Sequence, residues 1–407
     1  MTVEEVRKQF PGLSGTVYGK PLVYLDNAAT IQRPSCVIDK WTDLSVHHNA
    51  NLHRAVHRIA AEATEEYESA RDAVRAFINA GSREEIVFTS GATASINLVA
   101  FSFGEAFVRK GDEIIVAESE HHSNIVPWQM MCERKGAVLK VLPVDDWGHL
   151  RIDMLDSLLT ERTRLLCVAQ ISNVLGIINP VKEIVNICHS KGCLVLVDGA
   201  QGIVHIGADV RDMGCDFYAF SGHKVYAAPG TGVLYGRLEL LEQMPPYMGG
   251  GEMIETVRFS GTTYAPLPGK FEAGTQNMAG TPTLKPALEL AEALRNKELT
   301  DYTDKVRDYV LNALLSDERI SLYGVPRGTF NKIPLFSFTV KGAHHEDLAL
   351  LLDKMGIAVR SGQMCAEPLM DRYGVTGMLR ASFAPYNTLE EADYFIKSLD
   401  RAVSMLV

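Results

Sequence analysis

The sequence predicts an α/β fold: a large domain with a mostly parallel seven-stranded sheet covered by helices on both faces, and a smaller C-terminal α/β domain. Short apolar runs alternate with amphipathic helical stretches through most of the chain, which is typical of βαβ units. The runs are continuous in Val, Ile and Leu, as expected for parallel strands buried on both faces. The length of 407 residues also favours more than one domain.

Seven runs are predicted as strands of the large sheet. They are Ile86–Thr89, Ile114–Ala117, Leu139–Leu142, Leu165–Ala169, Leu194–Asp198, Phe217–Phe220 and Val233–Tyr235. Amphipathic segments separate them. The one at 180–192 begins at a proline and ends in Lys-Gly, which are start and stop signals for a helix.

The pattern changes after about residue 240. A Gly- and Pro-rich segment with little periodicity extends to residue 282, and loops of this length are usually functional. A helical pattern from Thr283 to about Leu315 leads into the smaller α/β unit. That unit is predicted to contain strands near Phe336–Val340, Ile357–Arg360 and Leu379–Phe383, and a helix from His345 to about Met355. A last helix begins at Thr388, where Thr388 and Glu391 form a capping box.

We therefore expect three parts. An N-terminal segment, 1–22, packs with the small domain, residues 23–282 form the large domain, and residues 283–407 form the small domain.

Composition excludes several classes of protein. The net charge of −10, from 40 basic and 50 acidic residues, argues against nucleic acid or an anionic membrane as the main partner. The first residues, MTVEEVRKQFPGL, contain no apolar core of a signal peptide, and no apolar run approaches the ~20 residues that span a bilayer, so we expect a cytoplasmic location. Seven cysteines without a CxxC pair argue against a disulfide framework and a zinc site, and no metal is expected.

Polar residues follow four of the predicted strands, where ligands bind in open parallel sheets. Small residues, Ser90 to Thr93, form a turn before a helix. Such a turn suits an anion, although the same residues are equally typical of an ordinary helix N-cap. The other three strand ends carry Glu120, His121 and His122; Asp198 and Gln201; and Ser221, His223 and Lys224.

This set suits pyridoxal phosphate (PLP). The cofactor needs a lysine for a Schiff base, an acid that keeps its ring nitrogen protonated, and a cradle for its phosphate. Neither GxGxxG nor GxxxxGK[ST] occurs, so dinucleotides and nucleoside triphosphates have little support. Asp198 alone could be a turn acid and Lys224 alone a solvated lysine. The two together, one strand apart, favour the cofactor.

The chain closely resembles the SufS/CsdA-type (group II) cysteine desulfurases, in the class V family of fold-type I PLP-dependent enzymes. The resemblance runs from about Phe10 to the last helix. It rests on the segments LDNAAT, NLHR, EHHSNIVPW, SNVLG, VDGAQ, DFYAFSGHK, FEAGT, AVRSGQMCAEPLM and LRASFAPYNT. The short RSGQMCAEP loop resembles the second group of that family.

The resemblance implies roles around the cofactor. Lys224 would form the Schiff base and then move the substrate Cα proton, and His121 would stack on the ring. Asp198 would pair with the ring nitrogen and Gln201 with the ring hydroxyl. The phosphate would be bound by Thr93, Ser221 and His223, with Thr275 from a second subunit of a homodimer.

The resemblance also implies a substrate end. Asn173 and Arg380 would hold the carboxylate of the substrate, and the residues lining this end would be Arg360, His53 and Arg54.

Cys365 is the candidate nucleophile. It lies in a Gly- and polar-rich stretch, whereas Cys167 and Cys193 lie in strand runs and Cys188 in a helix. The residues alone support a reactive thiolate and an idle loop thiol equally. The resemblance implies that L-cysteine gives L-alanine and a persulfide on Cys365. The sulfur would then pass to an acceptor protein of the SufE/SufU type for iron–sulfur cluster assembly.

Two alternatives stay open. One is a PLP enzyme with another substrate, such as a selenocysteine lyase or another class V lyase or aminotransferase. The other is a catalytically weak scaffold for sulfur-transfer partners, motivated by three departures from the family pattern. Ala92 and Ala94 replace Thr and Glu in the phosphate turn, which predicts a weaker grip on phosphate. Ala227-Ala228 replace a Gly-containing turn and predict a shifted path, and Gln363-Met364 replace a His-containing pair that could supply a proton.

Overall fold

A large sheet forms the centre of the protein. The computed structural model describes residues 1–53, 55–325 and 331–407. Within these ranges the sheet contains seven strands: β1 (Ile86–Thr89), β2 (Glu113–Ala117), β3 (Val138–Leu142), β4 (Thr163–Ala169), β5 (Leu194–Asp198), β6 (Phe217–Ser221) and β7 (Gly232–Gly236). The spatial order is β1-β7-β6-β5-β4-β2-β3. All pairs are parallel except those of β7, which is antiparallel to both β1 and β6, so the predicted mostly parallel sheet is confirmed.

The continuous apolar runs have a simple structural reason. Successive side chains of β4 lie on opposite faces of the sheet. Leu165 and Cys167 belong to one apolar core, and Leu166 and Val168 belong to the other. Both faces of the strand are therefore buried under helices, and every position along it favours an apolar side chain. The helices up to residue 243 are Val3–Arg7, Ser35–His47, Arg58–Phe77, Ala92–Phe107, Val126–Lys135, Leu155–Leu158, Val181–Ser190, Gly202–His205, Val210–Met213 and Leu238–Gln243.

A smaller antiparallel sheet lies in the C-terminal part. Its described strands are β8 (Ile320–Tyr323), β9 (Leu335–Val340), β10 (Arg360–Gly362) and β11 (Met378–Ser382), in the order β8-β9-β11-β10. The helices from residue 284 onward are Leu284–Leu294, Lys297–Leu315, His345–Lys354, Glu367–Tyr373 and Leu389–Leu406. The predicted capping box is confirmed, since Thr388 Oγ1 accepts from the Glu391 N–H at 3.2 Å and the Glu391 carboxylate accepts from the Thr388 N–H at 3.1 Å.

Three elements differ from the prediction. The helical pattern from residue 283 to 315 is two helices, because the Asn296 side chain accepts from the Leu299 N–H and starts a new helix. The predicted strand Ile357–Arg360 divides: Ile357–Ala358 pairs in parallel with Val23–Tyr24, and Arg360 opens β10. The Gly/Pro-rich segment contains a hairpin, Ile254–Arg258 with Gly261–Tyr264.

The N-terminal segment contacts both parts of the molecule. The Phe10 ring packs between Tyr226 of the large domain and Tyr386 near the last helix, with centroids 5.6 and 4.6 Å away. Arg7 also forms an ion pair with Glu391. Short strands Thr16–Val17 and Lys20–Pro21 pair with each other before the chain reaches Val23. The boundaries at residues 22 and 282 stay predictions.

No helix among the described residues is long and apolar enough to cross a membrane.

Candidate active site

A cavity of about 240 Å³ opens at the carboxyl ends of the central strands. Strands β2, β5 and β6 end there, as does the turn before helix Ala92–Phe107. The predicted site residues that line the cavity are Thr93, His121, Asn173, Asp198, Gln201, Ser221, His223, Lys224, Arg360, Cys365 and Arg380. Residues far apart in sequence therefore meet at one edge of the sheet.

Lys224 and Asp198 provide opposite charges inside the cavity. Asp198 is the last residue of β5, and Lys224 ends the short turn Gly222–Lys224 after the neighbouring strand β6. Burial lowers the pKa of the Lys224 amine, and the negative charge of Asp198 opposes that shift. Burial likewise raises the pKa of Asp198, against the positive charge of Lys224. Each charge thus offsets part of the desolvation cost of the other.

The His121 imidazole is neutral. Its Nδ1 accepts from the Ser123 N–H at 3.1 Å, so the ring proton belongs on Nε2. Burial, with a smaller effect of the positive charge of Lys224, lowers the pKa of His121 to about 4. A neutral, oriented aromatic ring suits stacking on a flat heterocycle.

The turn at Gly91 presents neutral donors. The Ala92 N–H donates to Ser221 Oγ at 2.8 Å, and the Thr93 and Ser123 hydroxyls lie 2.7 Å apart. A Cβ added at Gly91 would lie 3.3 Å from Ser221 Oγ, so a side chain there would crowd the turn. Backbone N–H groups at a helix start, with hydroxyls around them, suit an anion such as phosphate.

Arg380 is held from two sides. Its Nη1 donates to the Asn173 carbonyl at 2.8 Å and its Nη2 to Asp26 Oδ1 at 3.2 Å. Its buried Nε has no hydrogen-bond partner among the residues that the structure describes. Arg360 Nη1 lies 4.0 Å from the other oxygen of Asp26. Two guanidinium groups around one carboxylate leave donors for a second, incoming carboxylate.

Asn173 differs from the expectation in one respect. Its side-chain amide donates to the Met364 carbonyl at 2.9 Å, so that group orients the Cys365 loop (residues 363–367). Its main-chain carbonyl binds Arg380. Asn173 therefore joins the two predicted parts of the substrate site.

The Cys365 loop has an unusual backbone. Met364 and Cys365 both have a φ of 55°, in the left-handed region, which costs about 1–2 kcal/mol per residue that has a Cβ. Cys365 is exposed at the mouth of the cavity. Its carbonyl accepts from the His122 N–H at 2.7 Å. A cysteine held in this way is presented to the cavity and to solvent at once.

Two of the seven cysteines are exposed, and all seven lie in the described ranges. Cys36 is exposed on helix Ser35–His47 and does not line the cavity, and Cys365 is the other. The buried ones are Cys132, Cys167, Cys188, Cys193 and Cys215. Cys365 is thus the cysteine of the described chain that combines exposure with a place in the cavity.

Two predicted site residues do not join the cavity of this chain, and a third lies outside the described residues. Thr275 and His53 are exposed and absent from its described lining, and Arg54 lies outside the described residues. Thr275 instead lines a second depression together with Tyr67 and Glu272. The roles of these residues stay predictions.

Some contributors were missed by sequence reasoning. Asp26 holds both arginines, and Thr30 Oγ1 lies 3.2 Å from His223 Nδ1. Both belong to the LDNAAT segment, one of the segments that carry the resemblance, but neither residue was predicted as a site residue. The sequence signal was an acid directly after a short apolar run, Val23 to Leu25, with a hydroxyl four residues after that acid.

The two alanines after Lys224, Ala227 and Ala228, do not adopt a left-handed backbone conformation. The positive φ values of this turn fall on Tyr226 and Gly230, each at 70°, rather than on Ala227 or Ala228. Both alanines are fully buried, and the Ala228 N–H donates to Thr283 Oγ1 at 3.1 Å. Alanine is therefore compatible with the path that the turn takes here.

Residues 23–395 match the family described as aminotransferase class-V, and the chain belongs to that family of PLP-dependent enzymes. It is 47% identical over 406 residues to a cysteine desulfurase of Escherichia coli O7:K1, covering 100% of this chain and 99% of the relative. It is 44% identical to a probable cysteine desulfurase of Vibrio cholerae serotype O1, covering both chains fully.

Solved structures agree with the sequence relatives. The crystal structure of the cysteine desulfurase CsdA from Escherichia coli is similar with a TM-score of 0.92 and 40% identity, covering 100% of both chains. The apo structure of a cysteine desulfurase from Thermococcus onnurineus NA1 gives a TM-score of 0.93 and 35% identity, covering 100% of this chain and 99% of that one. CsdA is a group II cysteine desulfurase, and this chain shares its fold.

The residues of the cavity fit PLP. The donor set contains a lysine with a lowered pKa, a buried acid, a neutral aromatic ring and a cluster of neutral anion donors. These are the groups that the cofactor requires for attachment, for its ring nitrogen, for its ring face and for its phosphate.

Proposed function

We propose that this protein is a cysteine desulfurase that converts L-cysteine to L-alanine and leaves the sulfur as a persulfide on Cys365. The observation that carries the proposal is that Lys224, Arg380 and Cys365 line one cavity. The cysteine desulfurase relatives, at 44% and 47% identity over the whole chain, support it.

The cofactor would be held by the residues already described. Lys224 would attach it, Asp198 would pair with the ring nitrogen, Gln201 would bind the ring hydroxyl and His121 would stack on the ring. The phosphate would be bound by Thr93, Ser221 and His223, with Thr275 of a second subunit in a homodimer. When bound, PLP supplies an electron sink that stabilises negative charge at the substrate Cα.

The chain supplies the remaining steps. Arg380, with Arg360 nearby, binds the substrate carboxylate in a bidentate contact. This contact fixes the direction of the substrate Cα–H bond. Lys224 Nζ takes the Cα proton, a role favoured by its lowered pKa. Cys365 Sγ attacks the substrate sulfur: the S–S bond forms, the Cβ–S bond breaks, and its electron pair stays on Cβ. One thiol proton ends on the methyl group of alanine, and Lys224 returns its proton to Cα.

The exposure of Cys365 supports the next transfer. A persulfide at the mouth of the cavity can be reached by a thiolate of another protein, so we infer an acceptor of the SufE/SufU type and a role in iron–sulfur cluster assembly.

The test uses the purified PLP-loaded protein and two matched variants. We expect wild-type protein and Cys36→Ala, the other exposed cysteine, to release alanine from L-cysteine and to gain one sulfur atom by intact mass. Cys365→Ala is expected to lose both signals. Absence of alanine from the wild-type protein with bound PLP contradicts the proposal and favours another class V substrate or the scaffold reading.

L-Selenocysteine as substrate tests for a second activity, that of a selenocysteine lyase. Alanine that forms from L-selenocysteine in Cys365→Ala, when none forms from L-cysteine, assigns a selenocysteine lyase activity that does not require the thiol.

A further inference from the structure

His122 contacts the Cys365 loop at two points. Its main-chain N–H donates to the Cys365 carbonyl at 2.7 Å, and its ring Nε2 accepts from the Glu367 N–H at 3.0 Å. The second bond joins residues 245 positions apart in sequence. His122 is not among the described residues lining the cavity, so its contacts with the loop lie outside that lining.

The ring bond satisfies a group that would otherwise be unpaired. Glu367 opens the helix Glu367–Tyr373, and an N–H in a first helical turn has no carbonyl of its own helix to bind. A ring nitrogen can accept from an N–H only when it carries no proton itself. His122 therefore presents a bare Nε2 and carries its ring proton on Nδ1.

The loop needs such support because of its backbone. The left-handed conformations of Met364 and Cys365 persist only where the surroundings determine them. Asn173 holds the Met364 carbonyl on one side of the cysteine, and the His122 ring holds the Glu367 N–H on the other. Within the loop, Gln363 Nε2 also donates to Glu367 Oε1 at 3.1 Å.

We propose that His122 is a positioning residue whose ring holds the Cys365 loop against the large domain, so that the Cys365 thiol is directed at the substrate sulfur. This inference rests on the proposed desulfurase function. It also assigns a use to the second histidine of the EHH segment, while His121 faces the cofactor pocket.

Two variants isolate the ring nitrogen. The Gln side chain of His122→Gln places an oxygen acceptor near the Nε2 position, whereas His122→Asn places one only near Nδ1. Hydrogen exchange of the Glu367 amide reports the bond directly, and single-turnover sulfur transfer to Cys365 reports the position of the thiol.

In His122→Asn we expect the Glu367 amide to exchange about 10-fold faster than in the wild-type protein. Sulfur transfer to Cys365 should slow by about 10- to 100-fold, since an ångström of misplacement has effects of that size. KM for L-cysteine should stay within about 2-fold, because Arg380 is unchanged. His122→Gln should restore both rates to near the wild-type values.

Equal exchange at Glu367 in both variants, or equal transfer rates, would overturn the proposal. Ring ¹⁵N shifts of His122 in the wild-type protein give a test that needs no variant: a proton on Nε2 contradicts the bond. Failure of the wild-type protein to form alanine would count against the desulfurase function alone, because exchange at Glu367 is measured without turnover.

Discussion

Arg380 donates to the Asp26 carboxylate at 3.2 Å, and the two residues lie 354 positions apart in the chain. The same carboxylate lies 4.0 Å from Arg360. Asp26 thus keeps two like charges together at the place where we expect the substrate carboxylate.

Replacing Asp26 by asparagine should weaken substrate binding. Without the carboxylate, Arg380 loses a charge-assisted partner that fixes its orientation, so we expect KM for L-cysteine to rise about 10-fold, or about 1.4 kcal/mol. The kcat should change by less than about 3-fold, since Lys224 and Cys365 are untouched. Asp39→Asn, at an exposed aspartate outside the cavity, is the control. An unchanged KM in Asp26→Asn would refute this role.

The His205 side chain should make the folded protein less stable at acid pH. Burial lowers its pKa to about 4, whereas an unfolded histidine titrates near 6.5. Between these values the unfolded chain binds a proton that the folded protein does not, so stability is lost as pH falls from about 6.5 towards 4. We expect His205→Gln to remove about 1–2 kcal/mol of the difference in unfolding free energy between pH 7 and pH 5.

Urea unfolding of both proteins at the two pH values measures this effect. The same pH dependence in the wild-type protein and His205→Gln would show that other groups are responsible, His121 and His223 among them, whose pKa values are also lowered to about 4.

Arg71 and Glu272 form a buried ion pair with two hydrogen bonds, at 2.7 and 3.0 Å. Glu272 also accepts from the Phe88 N–H of β1 at 2.7 Å. Arg71→Met leaves the Glu272 carboxylate buried without its cation and should cost about 3–5 kcal/mol of unfolding free energy. Glu272→Gln should cost less, because Arg71 keeps its ion pair with Glu68 at 3.0 Å. The double variant should cost clearly less than the sum.

A double-mutant cycle by chemical denaturation measures the coupling. Additive losses would mean that the two groups act independently. Because Glu272 begins the segment that leads to Thr275, we also expect the single variants to weaken the homodimer proposed above.

Sequence patterns located the buried strands well and the exposed ones poorly. Ile86–Thr89 and Leu194–Asp198 were predicted to the residue, since burial on both faces makes every position apolar. The hairpin at Ile254–Tyr264 was missed because nearly all of its side chains are exposed, so no face has an apolar pattern. The start of a second helix at Asn296 was missed because a single polar N-cap residue does not interrupt the helical spacing of the apolar residues.

The candidate site divides in a similar way. Asp198 and Lys224 could be found because each directly follows a predicted strand, and parallel strands end at one edge. The bond between the His122 ring and the Glu367 N–H has no sequence signature, since it joins residues 245 positions apart and involves a backbone donor. The strained backbone of Met364 and Cys365 likewise depends on contacts from remote segments.

The pairing of Val23–Tyr24 with Ile357–Ala358 has a consequence for how the protein is made. Asn27, a few residues further on, donates to the Ser382 carbonyl at 2.6 Å. Ribosomes deliver chains from the N-terminus, so this early segment must wait without its partners until almost the whole chain has emerged. The large sheet can form first, but the pocket where we expect the substrate carboxylate is finished only after synthesis of the last strand, β11.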